Sequence, residues 1–413
     1  MSHRKLHVII VGASASGLTL AHCLSSAGVD FTVLEARTSQ ISHGAGLVIQ
    51  PNGARILDQL GLYDEVQRQA ERIASHSTCF DNGRLLLNVD TRFLTSRRNR
   101  TGYPLFIISR QALLSILFDH LPRRDCVRFG KKVIRVAPSP GDVTVHTADG
   151  SALAGDLVVG ADGVHCAPRC GNIFGREIPL ETSFAGVFGI AESVKGLKQG
   201  VAYRTFGTGW SMKVMVGMNA QVFWYVSMIC PQLRGQAWRR QQGKTSVGPM
   251  LAPFLNKHVS RDIFFGEIYN RTSSFTYVPI EESFQNQWSA GRFACIGDAV
   301  HKMTPNIGQG ANCAMETAAS LGNYILLAND TYATCTEASL ESMLGDWEND
   351  RKGRMRLFYW VSKSAVRIEA GRSWWLRILR SYLSYFHATM SIVLLGDITP
   401  QTARVQHLPL PLR

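Results

Sequence analysis

The chain has 413 residues, enough for two domains sharing a core, and its 45% hydrophobic and 18% charged residues describe a globular protein. The net charge of +13 is uneven: residues 351–413 hold eleven Lys/Arg against two acids, Glu369 and Asp397. With no aromatic-basic repeat beside it, this charge argues for a solvated or membrane-facing surface and against a nucleic-acid partner.

Nine cysteines without a Cys-x-x-Cys pair or a His/Cys cluster read as reduced thiols, so no metal centre and no disulfide scaffold is expected. The basic start, Met1 to Leu6, lacks a signal-peptide cleavage pattern, and the protein reads as intracellular, cytoplasmic or peripheral to an internal membrane, and not secreted.

Leu6 to Val11 is a continuous apolar run, as a central parallel strand requires. It enters Gly12-Ala-Ser-Ala-Ser-Gly17, followed by a helical run over Leu18 to Ala27, a stop at Gly28, and a strand from Phe31 to Leu34 that finishes at Glu35. This is the order of a dinucleotide-binding βαβ unit. Gly12 permits the tight turn and Gly17 the close packing of helix on strand, a pyrophosphate sits on the helix N-terminus, and Glu35 accepts from ribose hydroxyls. Ser14 stands where the middle glycine is usual. The acid lies 23 residues after Gly12, and the motif's place between two strands is what points to an ADP moiety.

Arg37, His43-Gly-Ala-Gly46 and Pro51-Asn-Gly53 form a polar, glycine-broken stretch before a helix over Ala54 to Leu60. Strand-like segments around Thr78 to Val89 and Leu105 to Ile108 flank Arg97-Arg98-Asn99-Arg100, read as a solvated loop. Arg110 opens a helix over Gln111 to Leu117, where it either contacts the cofactor or pairs with a nearby acid. Val127 to Val136 and Val143 to Thr147 alternate like a hairpin turning at Pro138 to Gly141. Asp156 to Val159 is an apolar strand ending in Gly160-Ala-Asp162-Gly163, a second acid beside glycines. From Thr182 to about Phe284 the helix period largely disappears, and strands such as Val187 to Glu192, Lys213 to Val216 and Gln221 to Met228 suggest a separate sheet for substrate. Arg204 and Tyr225 are its candidate catalytic donors, each able to offer a hydrogen bond in an apolar cavity. A purely structural role is the alternative for both.

Phe293 to Ile296 reads as a buried strand stopped by Gly297-Asp298, and Pro305, Gly308 and Gly310 make a loop that avoids bulk before a long helix from Ala311. That helix start offers free N–H groups and partial positive charge to an anion. Beyond Ala318 the chain reads as helical past Trp347, Trp360 and Trp374. Ser381 to Leu395 carries no formal charge but is too short for a bilayer span of ~20 residues. Trp374, Trp375, Tyr382 and Tyr385 with Arg372, Arg377 and Arg380 suit either peripheral membrane contact through 372–395 or a helix capping the core.

Together, Gly12-x-Ser-x-x-Gly17 with Glu35, Gly160-Ala-Asp162-Gly163 and Gly297-Asp298 resemble the three fingerprints of single-component, class A flavoprotein monooxygenases, of which para-hydroxybenzoate hydroxylase is the best-known relative. His301-Lys-Met-Thr-Pro-Asn-Ile-Gly-Gln-Gly-Ala-Asn312 and Leu408-Pro-Leu-Pro-Leu412 are similar to the fungal secondary-metabolite branch, whose members epoxidise or hydroxylate terpenoid, indole-terpenoid and polyketide intermediates. The resemblance covers roughly residues 6–350. It implies an α/β fold in which a Rossmann-type FAD-binding domain (1–75, 101–180, 285–350) is interleaved with a mixed-sheet substrate domain (76–100, 181–284), followed by a basic, aromatic helical segment (351–413).

The same resemblance implies FAD as cofactor, with NADPH and O2 as co-substrates and a small lipophilic molecule as the acceptor. Carried over by residue, Gly12, Ser14, Gly17 and Glu35 hold the ADP part, and Arg37 and Arg110 contact the cofactor. The backbone at Val48 matches another contact, although the usual glycine is missing there. Asp162 and Gly163 match the acid motif tied to both FAD and NADPH. Asp298, after Gly297, holds the ribityl and pyrophosphate region, and Pro305, Gly308, Gly310 and Ala311 lie along the flavin ring. Phe223 stands where many relatives have Tyr before Trp224. The implied chemistry is reduction of FAD, capture of O2 as a C4a-hydroperoxide, and transfer of its distal oxygen to an electron-rich carbon. Such a site must be dry, and the helix start at Ala311 stabilises charge growing on the reduced ring. His301 then serves beside the phosphates and not as a general base. A flavin-dependent dehydrogenase on the same scaffold is the alternative; the Trp-x-Trp-x-x-Ile signature of flavin halogenases is absent.

Overall fold

The computed structural model describes residues 6–40, 46–92, 102–139, 141–166, 180–230, 241–331, 336–382 and 403–410. The Arg97–Arg100 loop, His43, Tyr385 and most of 381–395 lie outside the described residues. His7–Val11 forms the middle of a six-stranded sheet, because Val8 to Val11 are apolar in succession and buried on both faces. The spatial order is Ser289–Ala290, Phe293–Cys295, Leu157–Gly160, His7–Val11, Asp30–Leu34, Val127–Arg128, parallel throughout except at the Ser289–Ala290 edge. Helices Ala15–Ser26 and Pro51–Gln59 both pack on Gly310–Thr331. Gly322 lets the first of these come close, since a Cβ there would lie 2.9 Å from Cys23 Cβ.

A second sheet has nine strands. Gln241–Gln242, Thr272–Phe284, Glu181–Ala191, Val222–Ile229, Trp210–Val216, Val201–Phe206, Ser75–Phe80 and Leu85–Asp90 lie side by side, with His301–Lys302 added on Thr272–Phe284. It is mixed because Val201–Phe206 runs parallel to Ser75–Phe80 while the other pairs are antiparallel. The pairs Ser283–Lys302 and Phe284–His301 stitch this sheet to the segment after Asp298. One face packs Trp224 and Tyr277 against Val247 and Phe265 of the helices Lys244–Leu251 and Phe265–Asn270. The other face meets the small sheet Gly46–Ile49, Leu105–Ser109, Glu71–Ile73 through Ala202, Phe223, Ile107 and Leu105.

Several elements differ from the sequence expectation. Pro51-Asn52-Gly53 is not a loop but the first turn of helix Pro51–Gln59, since Pro at the first position has the right φ and lacks only an N–H that would be unpaired anyway. Val127–Arg128 leaves the proposed hairpin and edges the parallel sheet; the hairpin is Val133–Ser139 with Asp142–Thr147. Within 182–284 the chain does form helices, the two named above. By contrast, Glu337–Ala370 is one unbroken helix, as the helical reading past Trp347 and Trp360 expects, and its buried Arg351 and Arg354 bind Glu316 of the preceding helix at 2.9 and 2.6 Å.

That helix stops at Gly371, left-handed at φ 55°, and a shorter helix over residues 374–382 exposes Trp374, Trp375, Ile378 and Tyr382. No helix among the described residues is long and apolar enough to cross a membrane. Residues 403–410 return to the body: Gln59 bonds Val405 through both its amide atoms, and the Ala403 N–H donates to Glu316.

Candidate functional site

The first glycine motif is tight in both senses expected. Gly12 has φ +107°, and a Cβ on it would stand 3.0 Å from the Ala161 backbone; a Cβ on Gly17 would stand 2.0 Å from Gly12 O. Ser14 is the N-cap of Ala15–Ser26, accepting from Gly17 N at 3.3 Å and donating to Ala161 O at 2.8 Å. A serine in place of the middle glycine thus ties the first motif to the second. Glu35 sits at the end of Asp30–Leu34, where its carboxylate accepts from the N–H groups of Ala13 at 2.8 Å and Arg37 at 2.9 Å. These bonds aim a half-buried anion at the start of the helix. The Arg37 side chain itself is exposed.

The other two motifs meet. A Cβ on Gly163 (φ +72°) would touch Asp298 Cβ at 3.8 Å, and one on Gly297 (φ +66°) would lie 3.0 Å from Ser16 Oγ. Asp162, in the same turn as Gly163, is half-buried. Asp298 is ion-paired with Lys302 at 2.6 Å. Burial alone would raise its pKa, but Lys302, and beyond it His301 and Arg110, hold the carboxyl below the usual carboxylate value. Arg110 is exposed at the start of helix Arg110–Asp119 and within electrostatic reach of Asp298. His301 is fully buried, bonded to Thr317 at 3.0 Å and pushed by burial down to about 4, which keeps it neutral at pH 7.

Along the third motif, Pro305–Ile307 makes one tight turn closed by left-handed Gly308, whose missing Cβ would sit 3.4 Å from Val48 Cβ. Gly310 and Ala311 open the long helix, half-buried, and a Cβ on Gly310 would meet nothing within 4 Å; bulk is therefore not what selects that glycine. Asn312 bonds Val48 O and Gln50 N, and Gln309 bonds Gln50 and Asn52. The strand Gly46–Ile49 is in this way clamped to the helix start. Gly46 in turn lets Phe223 in, since a Cβ there would be 2.6 Å from the Phe223 ring.

Arg204 and Tyr225 do come together, on a row the sequence reading did not complete. Cross-strand pairing sets Thr78, Arg204, Lys213, Tyr225 and Phe188 side by side on one face. Tyr225 stacks on Phe188 with centroids 4.4 Å apart, and burial pushes its hydroxyl well up, so it stays protonated. Lys213 donates to Asn306 O in the Pro305–Ile307 turn and pairs with buried Glu369 at 3.2 Å; Arg204 reaches the same carboxylate at 3.6 Å. Asn306 and Ser211 also donate to Glu369. Lys213, Glu369 and Asn306 were missed by the sequence reading. The available signals were a lysine inside the otherwise uncharged strand Trp210–Val216 and an acid in a strongly basic tail.

The donor set suits a dinucleotide: glycine-lined helix start, strand-end acid, and a second acid pair facing it. Residues 5–335 match the family model described as an FAD binding domain. The chain is 35% identical over 399 residues to the FAD-dependent monooxygenase esdpE of Penicillium shearii, covering 92% of this chain and 82% of that one. It is 36% identical over 413 residues to the FAD-dependent monooxygenase cle3 of Aspergillus versicolor, covering 96% and 82%. Among solved structures, Klebsiella pneumoniae HpxO complexed with FAD and uric acid superposes with a TM-score of 0.80 at 23% identity, covering 95% of this chain and 98% of that one.

Proposed function

Since this chain belongs to the FAD-dependent monooxygenases, we propose that it inserts one oxygen atom of O2 into a lipophilic terpenoid, meroterpenoid, indole-terpenoid or polyketide intermediate, by epoxidation or hydroxylation, at the expense of NADPH. The observation that carries this reading is that Gly163 meets Asp298, that Gly308 meets Val48, and that Lys213 of the Arg204–Lys213–Tyr225 row donates to Asn306 O, two residues before Gly308. FAD, when bound, would supply the activation of O2, one atom of which goes to the substrate while the other leaves as water.

The residues divide by task. Gly12, Ser14, Gly17 and Glu35 take the ADP end, with Arg37 at its rim. Asp162, Gly163, Gly297, Asp298 and Arg110 flank the middle of the cofactor, and Val48, Pro305, Gly308, Gly310 and Ala311 line its ring. The N–H groups at the start of Gly310–Thr331 are fixed by the fold, so they stabilise negative charge there without reorganising. Val48, Ile190, Met215 and Phe223 keep that end apolar and exclude water. Arg204 and Tyr225 offer hydrogen bonds that orient the substrate.

Incubation of the enzyme with candidate intermediates under 18-O2, read by mass spectrometry, is the test. The expected product gains one labelled atom, with NADPH oxidation stimulated by substrate. Label drawn from water, or a product that merely loses two hydrogens, rejects oxygen insertion in favour of other flavin chemistry.

A further inference from the structure

Two cysteines far apart in sequence meet where the second and third motifs begin. Cys166 ends the short 3-10 helix Gly163–Cys166, and Cys295 ends the strand Phe293–Cys295. Both are fully buried, and their sulfur atoms lie 3.5 Å apart across 129 positions of sequence. Neither is joined in a disulfide. Gly160 makes the room, since a Cβ there would stand 2.7 Å from Cys166 Sγ and 3.2 Å from Cys295 Sγ. Gly160 also pairs with Cys295 in the parallel sheet, and the Ile296 N–H donates to Gly160 O. Each cysteine is thereby fixed beside one loop of the cofactor site. Cys166 follows Asp162-Gly163, and Cys295 precedes Gly297-Asp298.

The pair has the contacts that thiol oxidation requires. One S–H donates to the other sulfur, and a donor of this kind favours the thiolate of its neighbour, the form that attacks an oxidant. A disulfide holds its sulfur atoms about 2 Å apart, so closure from 3.5 Å asks for roughly 1.5 Å of movement shared by two short side chains. Burial shuts out bulky reagents and leaves the pair to a small oxidant. Oxygen activation that fails to reach a substrate yields such an oxidant, hydrogen peroxide, in the site itself.

We propose that Cys166 and Cys295 are a peroxide-responsive pair whose disulfide staples the Asp162-Gly163 loop to the Gly297-Asp298 loop and slows the exchange of FAD. One thiolate attacks a peroxide oxygen and breaks the O–O bond, giving a sulfenic acid and a hydroxide that takes up a proton to become water. The second sulfur then attacks the sulfenic sulfur, the S–O bond breaks, and a second water leaves. Together the two thiols lose two electrons and two protons, and hydrogen peroxide is reduced to two waters. The inference rests on the monooxygenase reading only for the source of the peroxide.

The test treats the full-length, FAD-loaded enzyme with hydrogen peroxide, without NADPH or substrate. Non-reducing digestion and mass spectrometry should find a peptide linking Cys166 to Cys295 that dithiothreitol removes. Release of FAD into potassium bromide, followed by flavin fluorescence, should slow by roughly threefold or more, because a cross-link restricts the opening of the two loops. Reduction should restore the untreated rate. Cys166→Ser and Cys295→Ala should each abolish the response to peroxide. Should neither variant retain FAD, the link and its reversal in the unaltered enzyme decide the matter. A link that does not form, that joins other cysteines, or that forms without slowing FAD release overturns the proposal. So does a slowing that survives Cys166→Ser. An enzyme that forms the link yet inserts no labelled oxygen atom keeps this inference and loses the monooxygenase reading.

Discussion

Ser14 stands where the motif ordinarily carries its middle glycine, and its hydroxyl both caps a helix and bonds Ala161 O. Ser14→Ala should therefore cost about 1 kcal/mol and Ser14→Gly only a few tenths, a difference that paired thermal melts resolve. Gly17 is less forgiving. Its Cβ would collide with Gly12 O at 2.0 Å, so Gly17→Ala should destabilise by roughly 1–3 kcal/mol and reduce the flavin recovered per chain, measured by visible absorbance. Lys213 gives a pH signature. Burial lowers its pKa to about 8, with Glu369 opposing and Arg204 assisting. His76 is neutral throughout the working range, pushed by burial and by the same two cations down to about 3. The Lys213 ammonium should thus hold its proton below pH 8 and lose it as pH rises through that value, in an NMR titration of the side chain. At this scale, Gly12, Gly17 and Glu35 were legible because their partners lie nearby in a known spacing. Lys213 and Glu369 were not, because Glu369 meets Ser211 only across 158 positions of sequence.

Helices and strands were readable wherever their apolar period was strong and their ends were marked. His7–Val11, Ala15–Ser26 and Asp30–Leu34 appear where the pattern places them. Boundaries failed where a residue had two uses, as Pro51 did: a turn former in isolation, but a good first residue once Asn52 can bond Gln309 and Glu316. The pairing of Gly310–Thr331 with Glu337–Ala370 depends on Glu316, fully buried between Arg351 and Arg354. Burial alone would raise the Glu316 pKa, but the two guanidinium groups win and hold it at about 2. The folded-state value lies below the unfolded one, so this contribution is complete above about pH 4.5 and disappears as pH falls toward 2. It amounts to roughly 3 kcal/mol. Glu316→Gln leaves two buried cations under-compensated and should cost about 3–5 kcal/mol at neutral pH while flattening the acid limb of the stability curve, read from denaturant unfolding at stepped pH.

Across the whole molecule, two sheets share a discontinuous chain, and the ladder at Ser283–Lys302 and Phe284–His301 is where they are joined. No local pattern reveals such a ladder, since His301–Lys302 is too short to show an alternation. The same holds for the nine-stranded order: single strands were visible, but which strand lies beside which is decided by packing over long separations. The helix after Gly371, tied by Arg380 to Gly207 O and Glu369 O, carries the exposed set Trp374, Trp375, Ile378 and Tyr382 beside Arg372 and Arg377. Aromatic and cationic groups on one short helix suit an anionic bilayer surface. The full chain should float with anionic liposomes and do so less as salt is raised. A variant with these four apolar residues changed to serine should stay in the lipid-free fraction, and equal flotation of both would reject the contact.

The Ala403 N–H ends on a carboxylate already shared by Arg351, Arg354 and Asn52. From Asn52 the bonds continue through Gln309 to Gln50, and from Gln50 to Ile307 O, one residue before Gly308. A pull on this tail, by a fusion partner for example, would therefore act along a string of amides on the Pro305–Ile307 turn. The C-terminal stretch and the turn that ends at Gly308 are thereby fastened to one another by side-chain amides, although about a hundred positions separate them.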